Sequence, residues 1–305
     1  MKILDAHSHW MPPEIAEKTT FFQFGWSDSE ALLKTMDTAR IEKAVLLYPS
    51  SDAHVKGGGW AKVCEVYNPA IAAQVKRHPD RFIGAGIIPA DLPESMPAEV
   101  DRVKDLGLSC LSLSSSYGGR FLDDETFIPV FERAQQHGLP VFVHPQIINP
   151  IGYERVQDPL LMPVLEYLMD VSMCAGRLMM SGTYMRFPEL KFVFAHFAGV
   201  MPFVFDRLDS TYAMLRGRNY VHDLGQLPSE IMRNIYVDTS GVKSPTMIRM
   251  ALETFGASQI LWGSDYPAQK DLIQSIRTVQ SIEASDPERQ SILGDNLMQV
   301  LGEGF

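Results

Sequence analysis

The sequence predicts an α/β fold, a (β/α)8 TIM barrel formed as one domain over residues 1–305. Three observations carry that expectation. Short apolar runs of strand length alternate with longer stretches of helical periodicity along the whole chain. Eight such runs fall within 305 residues, which is the arithmetic of the barrel. The runs are nearly continuous in Val, Ile, Leu and Phe, as strands covered on both faces should be.

The first five runs begin at Ile3 (ILDAHSH), Lys43 (KAVLLYP), Arg81 (RFIGAGIIP), Leu108 (LSCLSLSSS) and Leu139 (LPVFVHPQ). Three more begin at Leu190 (LKFVFAHFA), Asn234 (NIYVDTSG) and Gln259 (QILWGSDYP). Helical periodicity marks residues 30–40, 98–106, 126–137 and 245–255. Gly107, Gly138 and Gly256 follow three of these, where a helix ends on a residue with positive φ. A doubly wound open sheet is the alternative fold. Against it, no G-x-G-x-x-G follows the first strand and no G-x-x-x-x-G-K-[ST] occurs.

Two segments exceed the minimal repeat. Residues 10–29 carry Phe21, Phe22, Phe24 and Trp26, too long a stretch for a plain βα loop, and read as a lid or pocket wall. Residues 147–188, between the fifth and sixth strands, form a long helical segment rich in methionine (Met162, Met169, Met173, Met179, Met180, Met185). Such a stretch suits a core or a subunit interface.

Charge narrows the partners. With 37 acidic and 27 basic side chains the formal charge is −10, which argues against nucleic acid and against a polybasic membrane anchor. The longest stretch free of Asp, Glu, Lys and Arg, residues 138–153, is too short to span a bilayer. The N-terminal residues lack the apolar core of a signal peptide. Cys64, Cys110 and Cys174 are sparse and widely spaced, as buried thiols of a cytoplasmic protein are. A soluble, cytoplasmic protein without nucleic-acid or membrane partners is expected.

In a barrel, chemistry sits at the C-terminal ends of the strands. His7 and His9 end the first run, His144 the fifth, His196 the sixth and Asp265 the eighth. Each alone is ordinary: a core histidine, a surface pair, a helix cap. Together they converge on one point, where unpaired polar groups would cost several kcal/mol each. A divalent metal offsets that cost, and imidazoles with a carboxylate suit zinc, with manganese, iron or cobalt as alternatives. His54, after the second strand, is a candidate substrate contact, as are Phe24 and Trp26. Asp5 has the parity of His7 and His9 and reads as an orienting or structural group.

These motifs carry a resemblance. D-A-H-S-H at residues 5–9, H-P at 144–145, A-H-F-A-G at 195–199 and G-S-D-Y-P at 263–267 resemble the amidohydrolase superfamily. More narrowly they resemble its amidohydrolase-2 branch, which includes metal-dependent decarboxylases. H-P-D-R-F at 78–82 and F-P-E-L-K-F at 187–192 belong to the same likeness, which covers nearly the whole chain. The resemblance implies that His7, His9, His144 and Asp265 bind one catalytic metal, Zn2+ before Mn2+, and that His196 is a general acid/base. It implies that Arg207 reaches a substrate carboxylate across a homodimer interface; a surface salt bridge is the alternative for that residue. No second arginine stands in the segment after the first strand, and Gln146 replaces a tryptophan of the branch. Both departures point to a different substrate, with less charge.

The activity expected is non-oxidative decarboxylation of a small cyclic or conjugated carboxylic acid, His196 or Asp265 supplying the proton. Metal-dependent hydrolysis of a lactone or amide is the alternative, with hydration of a double bond after it. A metal-binding scaffold without chemistry would leave the inward-facing site unexplained.

Overall fold

The computed structural model describes residues 2–22, 25–152, 154 and 158–302. All eight expected runs are parallel strands of one sheet, in sequence order around the barrel. They are Leu4–His9, Lys43–Leu47, Phe82–Gly86 and Cys110–Ser114, then Val141–His144, Phe192–Phe194, Tyr236–Asp238 and Ile260–Leu261. The doubly wound alternative is thereby excluded. Backbone hydrogen bonds close the circle between the eighth strand and the first: Ala6 N–H to Trp262 O at 2.9 Å and Asp265 N–H to His7 O at 2.8 Å. Gly263 makes that closure possible, since a Cβ there would lie 2.7 Å from the His7 Cβ.

Two apolar clusters follow from strand alternation. Leu4, Val45, Ile83, Phe142, Val193 and Leu261 pack together with Leu297, Val300 and Leu301 of the C-terminal helix. Their alternates, such as Leu46, Phe82, Val141 and Phe192, join the larger cluster with the surrounding helices. The helices expected at 30–40, 98–106, 126–137 and 245–255 are Ser29–Ala39, Met96–Asp105, Ile128–His137 and Pro245–Phe255. Asp28 caps the first through Ala31 N–H, and Gly138, at φ 63°, ends the third.

Pairing of the first strand with the second is irregular between Asp5 and Ser8. That shift breaks the parity expected of Asp5, because one residue of slip turns a side chain to the other face. Asp5 turns away from the histidines and accepts from His7 N–H, Ser264 N–H and Ser8 Oγ, at 2.6–3.0 Å, which ties the first strand to the loop after the eighth. Its role is structural, and burial pushes its carboxyl up. Among the described residues no helix is long and apolar enough to cross a membrane.

Candidate active site

Four imidazoles meet above the apolar barrel interior, and each has its Nδ1 occupied. His7 Nδ1 lies 2.7 Å from Asp238 Oδ2, His9 Nδ1 3.2 Å from Leu47 O, and His144 Nδ1 2.9 Å from Pro145 O. His196 Nδ1 lies 3.0 Å from Ser240 O. These acceptors place a proton on each Nδ1, which leaves Nε2 as the atom that can take a metal or a further proton.

The ligand atoms of His7, His9 and His144 all lie within 4.8 Å of one another. The Nε2 atoms of His7 and His9 face each other at 3.1 Å, a contact that two lone pairs hold only with a proton or a cation to share. Asp265 Oδ1 stands 3.4 Å from His9 Nε2 and 3.8 Å from His7 Nε2. Three imidazoles and a carboxylate aimed at one point are the donor chemistry of a divalent transition ion, which would displace the second proton from His7. The residues present therefore fit a metal.

Electrostatics separate the groups. Burial disfavours charge on His7, but the Asp238 carboxylate and its hydrogen bond outweigh it and raise the imidazole to about 9. Burial lowers His9, and lowers His144 well below the ordinary range, the neighbouring imidazoles adding to the effect on His144. Burial would raise Asp265, yet the hydrogen bond to His9 and the charges of His196 and His7 hold it well below the usual carboxylate range.

Asp238, at the end of the seventh strand, is the residue that sequence reasoning missed. Besides holding His7 it accepts from His196 N–H and from Ser240 N–H, both at 3.0 Å. It thereby links two site histidines through one buried carboxylate. The signal was present: Asp238 closes its run at the height of His144 and Asp265.

The turn that carries His196 is unusual. His196, Phe197 and Ala198 all have positive φ, 54–58°. Successive residues there are strained, by roughly 1–2 kcal/mol each. Gly199 follows, where a Cβ would meet Leu168 O at 2.1 Å and Ser172 Oγ at 2.3 Å. Ser172 Oγ accepts from Val200 N–H at 2.8 Å, so helix Tyr167–Met180 clamps the turn.

A cavity of about 520 Å³ opens over these groups, with His9, His144, His196 and Asp265 in its lining. Its remaining surface is mostly apolar, from Phe22, Trp26, Ile147, Val164, Phe197 and Met247. Trp26 packs 5.4 Å from the His9 ring and edge-to-face with Phe22 at 4.4 Å. The stretch after the first strand is thus a pocket wall; Phe24, expected there, lies outside the described residues. Other expected contacts stand elsewhere. His54 stacks on Trp60 at 4.4 Å and is not among the lining residues. Arg207 is exposed on helix Met201–Arg216, outside the lining, and makes no ion pair among the described residues. Gln146 is buried with both amide ends used, donating to Ser116 O and accepting from Ile148 N–H, so its difference from tryptophan does not reach the cavity.

Comparison with known proteins places this geometry. An amidohydrolase family model matches residues 4–302. The chain is 29% identical over 265 residues to 2-amino-3-carboxymuconate-6-semialdehyde decarboxylase of Dictyostelium discoideum, covering 83% of this chain and 71% of that protein. It superposes on 5-carboxyvanillate decarboxylase from Sphingomonas paucimobilis with a TM-score of 0.88, at 23% identity and 98% coverage of both chains. A second such decarboxylase, from Novosphingobium aromaticivorans in complex with manganese and 4-hydroxy-3-methoxy-5-nitrobenzoic acid, gives 0.86 at 20% identity, covering 98% of this chain and 96% of that one.

Proposed function

The chain belongs to the amidohydrolase family, and on that premise we propose that it is a metal-dependent, non-oxidative decarboxylase of a small cyclic or conjugated carboxylic acid. The observation that carries the reading is the convergence of the His7, His9 and His144 ligand atoms with Asp265 beneath an apolar cavity. Relatives named as decarboxylases of conjugated or aromatic acids support it.

His7, His9, His144 and Asp265 would hold one divalent ion, Zn2+ or Mn2+. When bound, it supplies positive charge that orients the substrate carboxylate with a neighbouring oxygen and stabilises enolate-like charge. The chain does the rest. Asp238 fixes the His7 ring, and the carbonyls of Leu47 and Pro145 fix His9 and His144. Phe22 and Trp26 wall the ring and hold it by apolar contact. The bond between ring carbon and carboxylate carbon breaks, CO2 leaves, and its electron pair stays on the ring. His196, with Nε2 protonated from water, delivers one proton to the vacated carbon, directly or by way of a water held at Asp265, which balances the reaction.

The decisive assay offers aromatic and unsaturated cyclic acids in D2O. CO2 release with one deuterium at the vacated carbon is expected. Turnover of lactones or amides, with no acid losing CO2, would overturn the reading in favour of a hydrolase.

The same proposal includes a homodimer. Leu161, Leu165, Met169 and Met173 repeat every four residues and are all exposed, as are Met185 and Phe203. Met179 of that segment is buried, and Met162 and Met180 are half-buried. Arg207 sits one turn beyond Phe203, placed to enter a partner's site rather than its own. A monomer by light scattering at micromolar concentration refutes the dimer; unchanged KM and kcat in Arg207→Ala removes only the shared site. Three free, buried cysteines fit a reducing cytoplasm.

A further inference from the structure

We infer that Tyr167 in the cavity wall, with Glu166 buried behind that wall, selects the substrate: Tyr167 donates a hydrogen bond to a neutral oxygen substituent, and Glu166 disfavours a second carboxylate. This deepens the decarboxylase reading and rests on it for the reacting carboxylate.

The segment between the fifth and sixth strands enters its helix through a widened turn. Met162–Glu166 is π-helical and runs straight into Tyr167–Met180. Such turns are rare and occur mostly at functional sites. Pro163, Val164, Tyr167 and Leu168 of this stretch line the cavity, whereas Glu166 does not. The Glu166 side chain lies toward Gly152, whose added Cβ would sit 3.6 Å from its Cγ. Glu166 is only 4% exposed, and neither carboxylate oxygen has a hydrogen-bond partner among the described residues. A buried acidic group without a partner costs free energy that a neutral side chain would not. An acidic group there sets two acceptor oxygens behind the wall and no positive charge to meet a second carboxylate.

Two features of the lining complete the argument. Among the described residues, none of those lining the cavity is Lys or Arg, so the chain's own wall supplies no cation for a second substrate carboxylate. Ser240 is already bonded to Asp238 and His196. Tyr167 makes no side-chain hydrogen bond among the described residues, and burial together with Glu166 pushes its phenol up to about 12. The phenol stays protonated and is free to donate. A hydroxyl available on an apolar wall recognises an ether, carbonyl or hydroxyl oxygen on the ring, away from the histidines. Gln269 also lines the cavity with no side-chain hydrogen bond among the described residues, and serves as a control position.

The test measures equilibrium binding by calorimetry to the metal-loaded protein. The probes are 2-hydroxybenzoate, its 4- and 5-methoxy derivatives, and its 5-carboxy derivative. We expect one methoxy derivative to bind about three- to tenfold tighter than the parent, the scale of one net hydrogen bond. Tyr167→Phe should abolish that preference and leave parent binding unchanged, while Gln269→Ala keeps it. Glu166→Gln should strengthen binding of the 5-carboxy derivative about tenfold without changing the parent. Equal weakening of parent and methoxy ligand in Tyr167→Phe, or no methoxy preference in the natural protein, overturns the Tyr167 assignment. Unchanged rejection of the dicarboxylate in Glu166→Gln overturns the Glu166 assignment. Selective binding with no CO2 released from any acid would instead sink the decarboxylase reading and leave this inference standing.

Discussion

The floor of the cavity is tied together by short hydrogen bonds between elements far apart in the chain, and its wall is held by apolar packing. On the floor, Asp238 alone reaches His7, His196 and Ser240. Each imidazole has one ring nitrogen committed, so its direction is set by the strands. On the wall, Phe22, Trp26 and Val164 come from segments outside the barrel strands, and Phe22 meets Trp26 edge-to-face. A hydrogen-bonded group loses its function when moved by a fraction of an ångström, whereas an apolar surface tolerates exchange of one hydrophobic residue for another. The difference teaches that chemistry resides on the floor and selection on the wall.

Four experiments sharpen or break that division. The largest effect is expected from His144→Ala: metal content should fall from near-stoichiometric to near zero by elemental analysis, and activity to background. Full activity after exhaustive chelation would end the metal reading altogether.

His196→Ala should keep most of its metal while kcat falls by about 10² or more, the usual scale for a positioned acid/base. If metal is lost as completely as in His144→Ala, His196 is a ligand and the division of labour on the floor needs redrawing.

Asp238→Asn preserves shape and removes the charge that holds His7. Metal affinity should drop by roughly 10- to 100-fold, the range for partners that orient a ligand. Titration with a chromophoric chelator measures it, and an unchanged affinity would make Asp238 a packing residue.

The smallest effect belongs to the wall. Trp26→Ala should raise KM by about tenfold and leave kcat nearly unchanged, because uniform binding is lost. A collapse of kcat at constant KM would break the comparison, since the wall would then act on the transition state.

Strand count, strand order of the floor residues and most helix positions were legible in the amino-acid pattern, because buried parallel strands write apolar runs and the helices end on glycines such as Gly138. His7, His9, His144, His196 and Asp265 were legible because polar residues at strand ends interrupt those runs. Asp238 was equally well placed, but a single Asp before Thr and Ser reads as a turn, and only the 2.7 Å contact with His7 gives it a role. Local pattern also misplaced Asp5, since the irregular pairing between the first two strands reverses its face. His54 and Gln146 followed the right strands, yet their side chains were claimed by Trp60 and by the Ser116 carbonyl. By itself, then, the sequence determined the barrel and the chemical character of its floor, because hydrophobic periodicity and residue type act locally. Only the tertiary structure decided which carboxylate orients which imidazole, that Glu166 is buried with no hydrogen-bond partner among the described residues, and that Arg207 stands outside the cavity of its own chain. The pairing of His7 with Asp238 joins residues 231 positions apart at hydrogen-bond distance, which no local pattern encodes.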